Sequence, residues 1–373
     1  MKVDKTKRQI SPLENICTIR TGKKDANHAD ENGVYPFFTC GTYPLKSTTY
    51  SFEGQNLIVP GNGDIGRCFF YNGKIEAYQR TYVIQLKTNS DIDIHYLYSV
   101  FKGTWRAYIK NKILGAAMPY IKLVHLNKFP IPIYDLDVQQ AIAAELDAIQ
   151  IMIDGYKAQI ADLDNLAQSI FLDMFGDPVT NPKGWETKTF GDLGIIERGA
   201  GISKKDFVAN GLPCIHYGQL HTTLEACTKK HLTCIPENLL LKYKIAHPGD
   251  VILAITSEDV EGSCKSTVWL GKYDIIVGSD AAIFHHKQNG VYISYYTMTK
   301  AFYYEKAKYA KGFKVTHIST KEIESIHIPL PPLPLQQLFA SKVEAIELQK
   351  EQLRLQLQDA ETLMAERMQY YFS

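Results

Sequence analysis

The 373 residues carry many groups capable of chemistry, but few stand at spacings that define a reaction. Gly61-Asn62-Gly63-Asp64-Ile65-Gly66 has the glycine pattern of a dinucleotide-binding turn and follows the strand-like run Asn56–Val59. Next comes Arg67-Cys68-Phe69-Phe70-Tyr71, which reads as another strand. A pyrophosphate needs a helix N-terminus whose dipole and amides face it. The segment is therefore expected to be a turn between strands, as is Thr256–Gly262 in the second half. His285-His286 is the only adjacent pair among eleven histidines, eight of which lie in residues 177–334. Neighbours on a strand face opposite ways, so the pair is not expected to share a metal. The seven cysteines (17, 40, 68, 214, 227, 234 and 264) contain no C-x-x-C pair and read as free, mostly buried thiols. Carboxylates are scattered, and no nucleophile elbow, zinc-protease helix, phosphate loop or Asn/Asp-Pro-Pro-Tyr segment is present. The expectation is a chain that binds no metal or cofactor and is not catalytic by itself.

The residue types do suit nucleic acid. Basic side chains cluster in glycine-flanked, aromatic-rich loops: Arg20-Thr21-Gly22-Lys23-Lys24, and at the matching place in the second half Gly199-Ala200-Gly201-Ile202-Ser203-Lys204-Lys205. Arg67, Arg80, Lys110, Lys112, Lys122, Lys265, Lys311 and Lys314 join them. Lysine and arginine neutralise phosphates, while Asn62 and the Tyr217-Gly218-Gln219 segment offer groups that can read base edges.

The elements that must position these loops occur twice. Ile131-Pro132, Gln139-Gln140 and Ala148-Ile149 recur as Ile328-Pro329, Gln336-Gln337 and Ala345-Ile346 at a constant offset of 197. That register runs without a gap to Phe175 and Phe372 and extends back to Gly115 and Gly312. Near the start of each half the offset is 177, pairing Leu13, Ile16, Ile19 and Gly22 with Phe190, Leu193, Ile196 and Gly199. The second half thus carries about twenty extra residues internally. Each unit opens with a mixed region of β-branched runs, such as Asn56–Val59, Thr81–Leu86, Asp250–Ile255 and Ala281–Phe284. Short helices are expected at 95–102 and 294–309.

Each unit closes with one long helix. Ile142, Leu146, Ile149, Ile153, Tyr156, Ile160, Leu163, Ala167, Ile170 and Met174 step 4,3,4,3 without a break, an a/d seam. The second seam is Phe339, Val343, Ile346, Lys350, Leu353, Leu357, Ala360, Met364, Arg367 and Tyr371, with two polar interruptions. Gly176-Asp177-Pro178 stops the first helix. Two narrow seams bury each other most economically as an antiparallel pair, about 50 Å long at ~1.5 Å per residue. A pseudo-twofold axis would then put the mixed regions at opposite ends of a rod. The expected fold is α+β: mixed domains at 1–137 and 177–334, long helices at 138–176 and 335–373.

Composition agrees with a folded chain: 45% hydrophobic, 22% charged, net charge +1. This excludes a disordered chain, and no stretch is apolar enough to span a membrane. The polar start, Met1–Ile10, shows no secretory signal, so the cytoplasm is expected. The near-zero charge argues against a nucleic-acid binder only until it is divided. Residues 1–137 and 177–334 carry +6 and +2, and residues 138–176 and 335–373 carry −5 and −2.

The arrangement closely resembles the DNA-specificity (S) subunit of Type I restriction-modification systems. The Ile-Pro…Gln-Gln helix entries, the heptad seams and Ile170–Pro178 followed by Asn181-Pro182-Lys183-Gly184-Trp185 carry the resemblance. It implies two target-recognition domains, each reading half of an asymmetric bipartite site in double-stranded DNA, and helices that set the spacer. It further implies two modification (methyltransferase) subunits as partners, with restriction subunits in the full complex. S-adenosylmethionine would belong to the modification subunit, and ATP and Mg²⁺ to the restriction subunit. The competing readings are a free-standing nuclease or methyltransferase, and a protein-binding pair of heads on a coiled-coil spacer.

Overall fold

Alternation along one strand decides the layering of each mixed domain. In the computed structural model, which describes residues 3–4, 8–202, 204–237, 243–310 and 315–373, the strand Gln55–Pro60 is central to the first. Leu57 and Val59 face one cluster with Ile84, Tyr96, Leu97, Trp105 and Phe129, while Ile58 faces another with Phe38, Phe52, Ala77 and Val83. The sheet is antiparallel, in the order Cys17–Thr21, Thr81–Leu86, Gln55–Pro60, Phe69–Asn72. Its second face is covered by a three-stranded sheet of Leu45–Ser47, Tyr35–Phe38 and Glu76–Ala77.

The second mixed domain follows the same logic. Val251 and Leu253 face one cluster; Ile252 and Ala254 face another. The sheet order is Gly194–Arg198, Ala281–His286, Val251–Ala254, Ser266–Trp269, Cys227–Thr228, beside a four-stranded sheet of Thr233–Ile235, Leu212–Ile215, Ile275–Val277 and Lys244–Ala246. The expected helix at 294–309 is two helices, Gly290–Tyr296 and Lys300–Ala307, because Thr299 accepts from Phe302 N–H and starts a new helix. The one expected at 95–102 runs Ile94–Val100 and continues through a π-turn, Phe101–Trp105, to Ile109.

The long helices are Leu136–Phe175 and Leu333–Phe372, 40 residues each, or about 60 Å. Both start two residues before the expected position, with Gln139 N–H donating to Asp135 O and Gln336 N–H to Pro332 O. Two compact units divide them: Met1–Ala158 with Arg354–Ser373, and Gln159–Leu353. In the first unit Ile142, Leu146, Ile149 and Ile153 share a core with Ala360, Met364, Tyr371 and Phe372. In the second, Ala167, Phe171 and Phe175 share one with Phe339, Val343 and Ile346. In both, early residues of one helix meet late residues of the other, so the pairing is antiparallel. Ile160, Leu163, Ile170, Leu353 and Leu357 are half-buried along the same seam.

The two polar interruptions are answered by carboxylates. Arg367 Nε lies 2.9 Å from Glu145, which also accepts from Tyr371 OH at 2.6 Å. Lys350, only 1% exposed, contacts Asp164 (2.5 Å), Glu225 (2.6 Å) and Glu347 (2.9 Å). Burial alone would lower the Lys350 pKa, but the three carboxylate hydrogen bonds outweigh it and hold it above its ordinary value.

The repeated glutamine explains how each head joins its helix. Gln139 Nε2 donates to Tyr134 O (2.8 Å) and Asp91 O (3.0 Å), and its Oε1 accepts from Asp93 N–H (3.0 Å). Gln336 Nε2 donates to Pro331 O (2.8 Å) and Gln288 Oε1 (3.2 Å), and its Oε1 accepts from Asn289 N–H (3.0 Å). Asp93 and Asn289 are themselves the N-caps of head helices. Replacing Gln139 or Gln336 by leucine strands these buried groups and should cost about 2–4 kcal/mol, since each unpaired one costs ~1–3. Thermal unfolding is expected to shift down by several degrees, whereas Gln140→Leu, next door and exposed, should leave it within about a degree.

Candidate nucleic-acid interface

One end of each sheet gathers the loops. In the first head, strands Cys17–Thr21, Tyr35–Phe38, Gln55–Pro60 and Glu76–Ala77 end there, and Thr81–Leu86 begins there. Main-chain hydrogen bonds weld the loops: Gly22 N to Thr81 O (3.2 Å), Tyr78 N to Phe38 O (2.9 Å), Gly61 N to Arg80 O (2.8 Å) and Ile121 N to Gly61 O (2.9 Å). The second head repeats the set: Gly199 N to Ala281 O (2.9 Å), Gly278 N to Ile215 O (3.0 Å), Ile255 N to Asp280 O (3.0 Å) and Ile318 N to Ile255 O (3.1 Å). Gly22 and Gly199 must be glycine because a Cβ would fall 1.8 Å from Ala77 O and 2.2 Å from Gly278 O. These bonds also locate the extra residues. Phe38 corresponds to Ile215, 177 later, but Gly61 to Ile255, 194 later. Most of the insertion therefore lies between Ile215 and Ile255, where the helix Tyr217–Thr222 sits.

Gly61–Gly66 is a turn, and no helix opens after it: the next element is the strand Phe69–Asn72. In the second head Thr256–Ser257 pairs with Thr316–His317 before the chain turns. His285 Nδ1 meets Asp250 Oδ2 at 2.8 Å, while His286 Nδ1 meets Gln288 O at 3.1 Å. Burial pushes the thiols of Cys17, Cys227 and Cys264 up to about 12, leaving them protonated at neutral pH. Asp164, Glu225 and Glu347 converge closely enough to resemble a cation site, a grouping that sequence spacing did not show. Lys350 Nζ occupies its centre.

The basic residues separate into two groups. Lys23, Arg80, Lys110 and Lys122 are exposed, Lys24 is half-buried, and Lys204 lies exposed on the short turn Lys204–Asp206, where Lys205 is exposed but partnered. Others are occupied within the protein. Arg67 pairs with Asp64 at 2.6 Å. Lys112 donates to Tyr108 O and lies 3.8 Å from that ring's centroid. Lys265 donates to His221 O. Arg20 lies on a strand, bonded to Gln85 and 5.1 Å from the Phe52 centroid. Lys311 and Lys314 lie outside the described residues.

The structure corrects one expectation and qualifies another. Tyr217-Gly218-Gln219 is the first turn of a helix, not a loop, and Gln219 is consumed by its cap. Its Oε1 accepts from His216 N–H (2.9 Å) and its Nε2 donates to Thr233 Oγ1 (3.2 Å). Burial, with Lys204 nearby, lowers the His216 pKa, so its neutral Nδ1 accepts from Gly218 N–H. Asn62 is also not an open loop residue: it is buried under Met118. Conversely, the sequence reading missed Tyr43. It stands 81% exposed in the hairpin whose Cys40 is tied to Arg80 O; Gly41 and Pro44 flanking an aromatic were the available signal.

Two matched heads, each gathering exposed basic side chains into its loops and each closed onto a long helix, make a repeated head-and-helix scaffold of the kind expected for a nucleic-acid-recognition protein. The sequence profile of the Type I restriction modification DNA specificity domain matches residues 6–164 and 182–359, and the chain belongs to that family. It is 31% identical over 157 residues to the Type I restriction enzyme EcoDI specificity subunit of Escherichia coli, covering 41% of this chain and 34% of that protein. It is 23% identical over 368 residues to the MjaVIII specificity subunit of Methanocaldococcus jannaschii, covering 87% and 83%. The crystal structure of a Type I system S subunit from M. genitalium has the same fold, with a TM-score of 0.61 at 12% identity over 100% of this chain and 98% of that one. DNA sequence specificity is thus the function of this chain. No helix among the described residues is long and apolar enough to cross a membrane.

Alanine at Lys23 or Arg80 should weaken binding to all duplexes alike. Each loss should reduce the slope of log affinity against log salt by about 1, measured by titration at several salt concentrations with the modification subunit present.

Proposed function

We propose that each head reads one half of an asymmetric bipartite site in double-stranded DNA. The carrying observation is the shared main-chain frame with different loops. One frame gives both heads the same way of meeting a duplex, while the insertion between Ile215 and Ile255 gives them different side chains to meet it with. The long helices set the unread spacer. They also dock two modification subunits, which bring S-adenosylmethionine; restriction subunits bring ATP and Mg²⁺ to the full complex. The chain itself supplies recognition and not catalysis, and it works in the cytoplasm, where its duplex lies.

Docking is supported by apolar side chains left uncovered outside the seam. The first unit exposes Ile151, Met152, Leu355 and Leu363, and the second exposes Leu166, Leu172, Leu338 and Leu348. Both helices are acidic, so a partner face that is apolar with basic flanks would fit them. The target base must leave the stack to enter a methyltransferase pocket, which places that chemistry on the partner.

The methylome of cells carrying this chain with its modification subunit tests the reading. The expected result is one asymmetric bipartite motif methylated on adenine, with a fixed spacer; a contiguous or symmetric motif would overturn it. Inserting seven residues at matched seam positions in both helices adds ~10 Å and should lengthen the preferred spacer by about three base pairs. An unchanged spacer would refute the ruler.

A further inference from the structure

Asn62 is 9% exposed, and its buried Oδ1 has no hydrogen-bond partner among the described residues. Its Nδ2 points at Met118 Sδ, 3.4 Å away, and a thioether is a weak acceptor. Native proteins rarely bury an amide this way, and such a group calls for an explanation. The fold does not demand it. The equivalent position in the second head is Thr256, whose Oγ1 lies 3.3 Å from His317 Nδ1, and the bridge Asn62–Tyr120 corresponds to the pairing Thr256–His317.

The surroundings hold the backbone of Asn62 firmly and its cover loosely. Gly61 N donates to Arg80 O, Gly63 N to Pro119 O, and Ile121 N to Gly61 O. The cover is the hairpin tip closed by Leu114 and Tyr120, which exchange two main-chain bonds. Met118 itself is 57% exposed, and a methionine side chain moves aside by simple rotation. All of this sits beside the exposed Arg80, on the loop edge of the first head.

We infer that Asn62 is a specificity-determining residue of the first head, masked by Met118 in the free protein. On DNA the mask swings out and the carboxamide pairs with an adenine edge in the major groove. Oδ1 accepts from the exocyclic N6 amine, and Nδ2 donates to N7. The inference rests on the first head being a DNA reader. It gives Asn62 opposite effects in the two states: unfavourable when the chain is free, favourable when it is bound.

That opposition supplies the test. The chain, assembled with its modification subunit, is used to select from a randomised duplex library, and the melting temperature of the free chain is measured. For Asn62→Leu, the melting temperature should hold or rise, and the selected motif should lose its preference at one A·T pair by about tenfold or more. For Met118→Ala, the motif should be unchanged and affinity for the selected duplex several-fold higher. If the Asn62→Leu motif keeps every position, or if its affinity falls equally for all duplexes while the melting temperature drops, the inference is wrong. Weaker binding by Met118→Ala would also count against it. A wild-type complex that selects no motif would remove the DNA-reading assignment itself, and this inference with it.

Discussion

Much of the architecture hangs on a buried glutamine at the start of each long helix. Each head must be held at a fixed angle to the long helix that follows it. Gln139 and Gln336 do this by bonding at once to the helix entry and to the capping residue of a head helix. A neighbouring tyrosine repeats the connection: Tyr96 OH donates to Pro132 O, and Tyr292 OH to Pro329 O. Buried directional bonds tolerate little rotation, so head and helix move as one piece. The aromatic cores behind them, such as Phe171, Phe175, Tyr292 and Phe339, supply the apolar burial that makes the joint stable.

The seam adds register to this stiffness. Apolar a/d positions attract but slide; a charged one specifies. Lys350 and Arg367 both lie on the second helix, and the corresponding positions on the first are Ile153 and Ile170. Their carboxylate partners Asp164 and Glu145 lie on the first helix. Each helix is thus complementary to the other and not to itself. Lys229–Glu344 and Lys230–Glu351 extend the ionic contacts from the second head to its own helix.

The scaffold was legible because its signals are long and local. A 4,3 periodicity over 33 residues and a constant offset between repeats cannot be mistaken for a sheet, and Gly176 with positive φ ended the first helix where the Gly-Asp-Pro stop placed it. The junction after it also has a physical cause: Lys183 and Trp185 donate to the last carbonyls of the helix, Asp173 O, Met174 O and Phe175 O. The reading edge was legible only in outline. Which lysine faces water and which is tied to a carbonyl depends on chain segments far apart in sequence, as with Lys265 and His221 or Arg20 and Phe52. Gln219 looked free because its partner, Thr233, comes fourteen residues later. Asn62 looked open because its cover is Met118, fifty-six residues on.

The division of the long helices between compact units has a consequence for synthesis. The first unit spans Met1–Ala158 but closes only with Arg354–Ser373. Until those last residues leave the ribosome, Leu146, Ile149 and Ile153 have no Ala360 or Met364 to cover them. The first head is therefore made early and closed only after the second head has been made. Throughout translation of the second repeat it carries an uncovered apolar stripe, an opening for chaperones and a liability to premature association between chains.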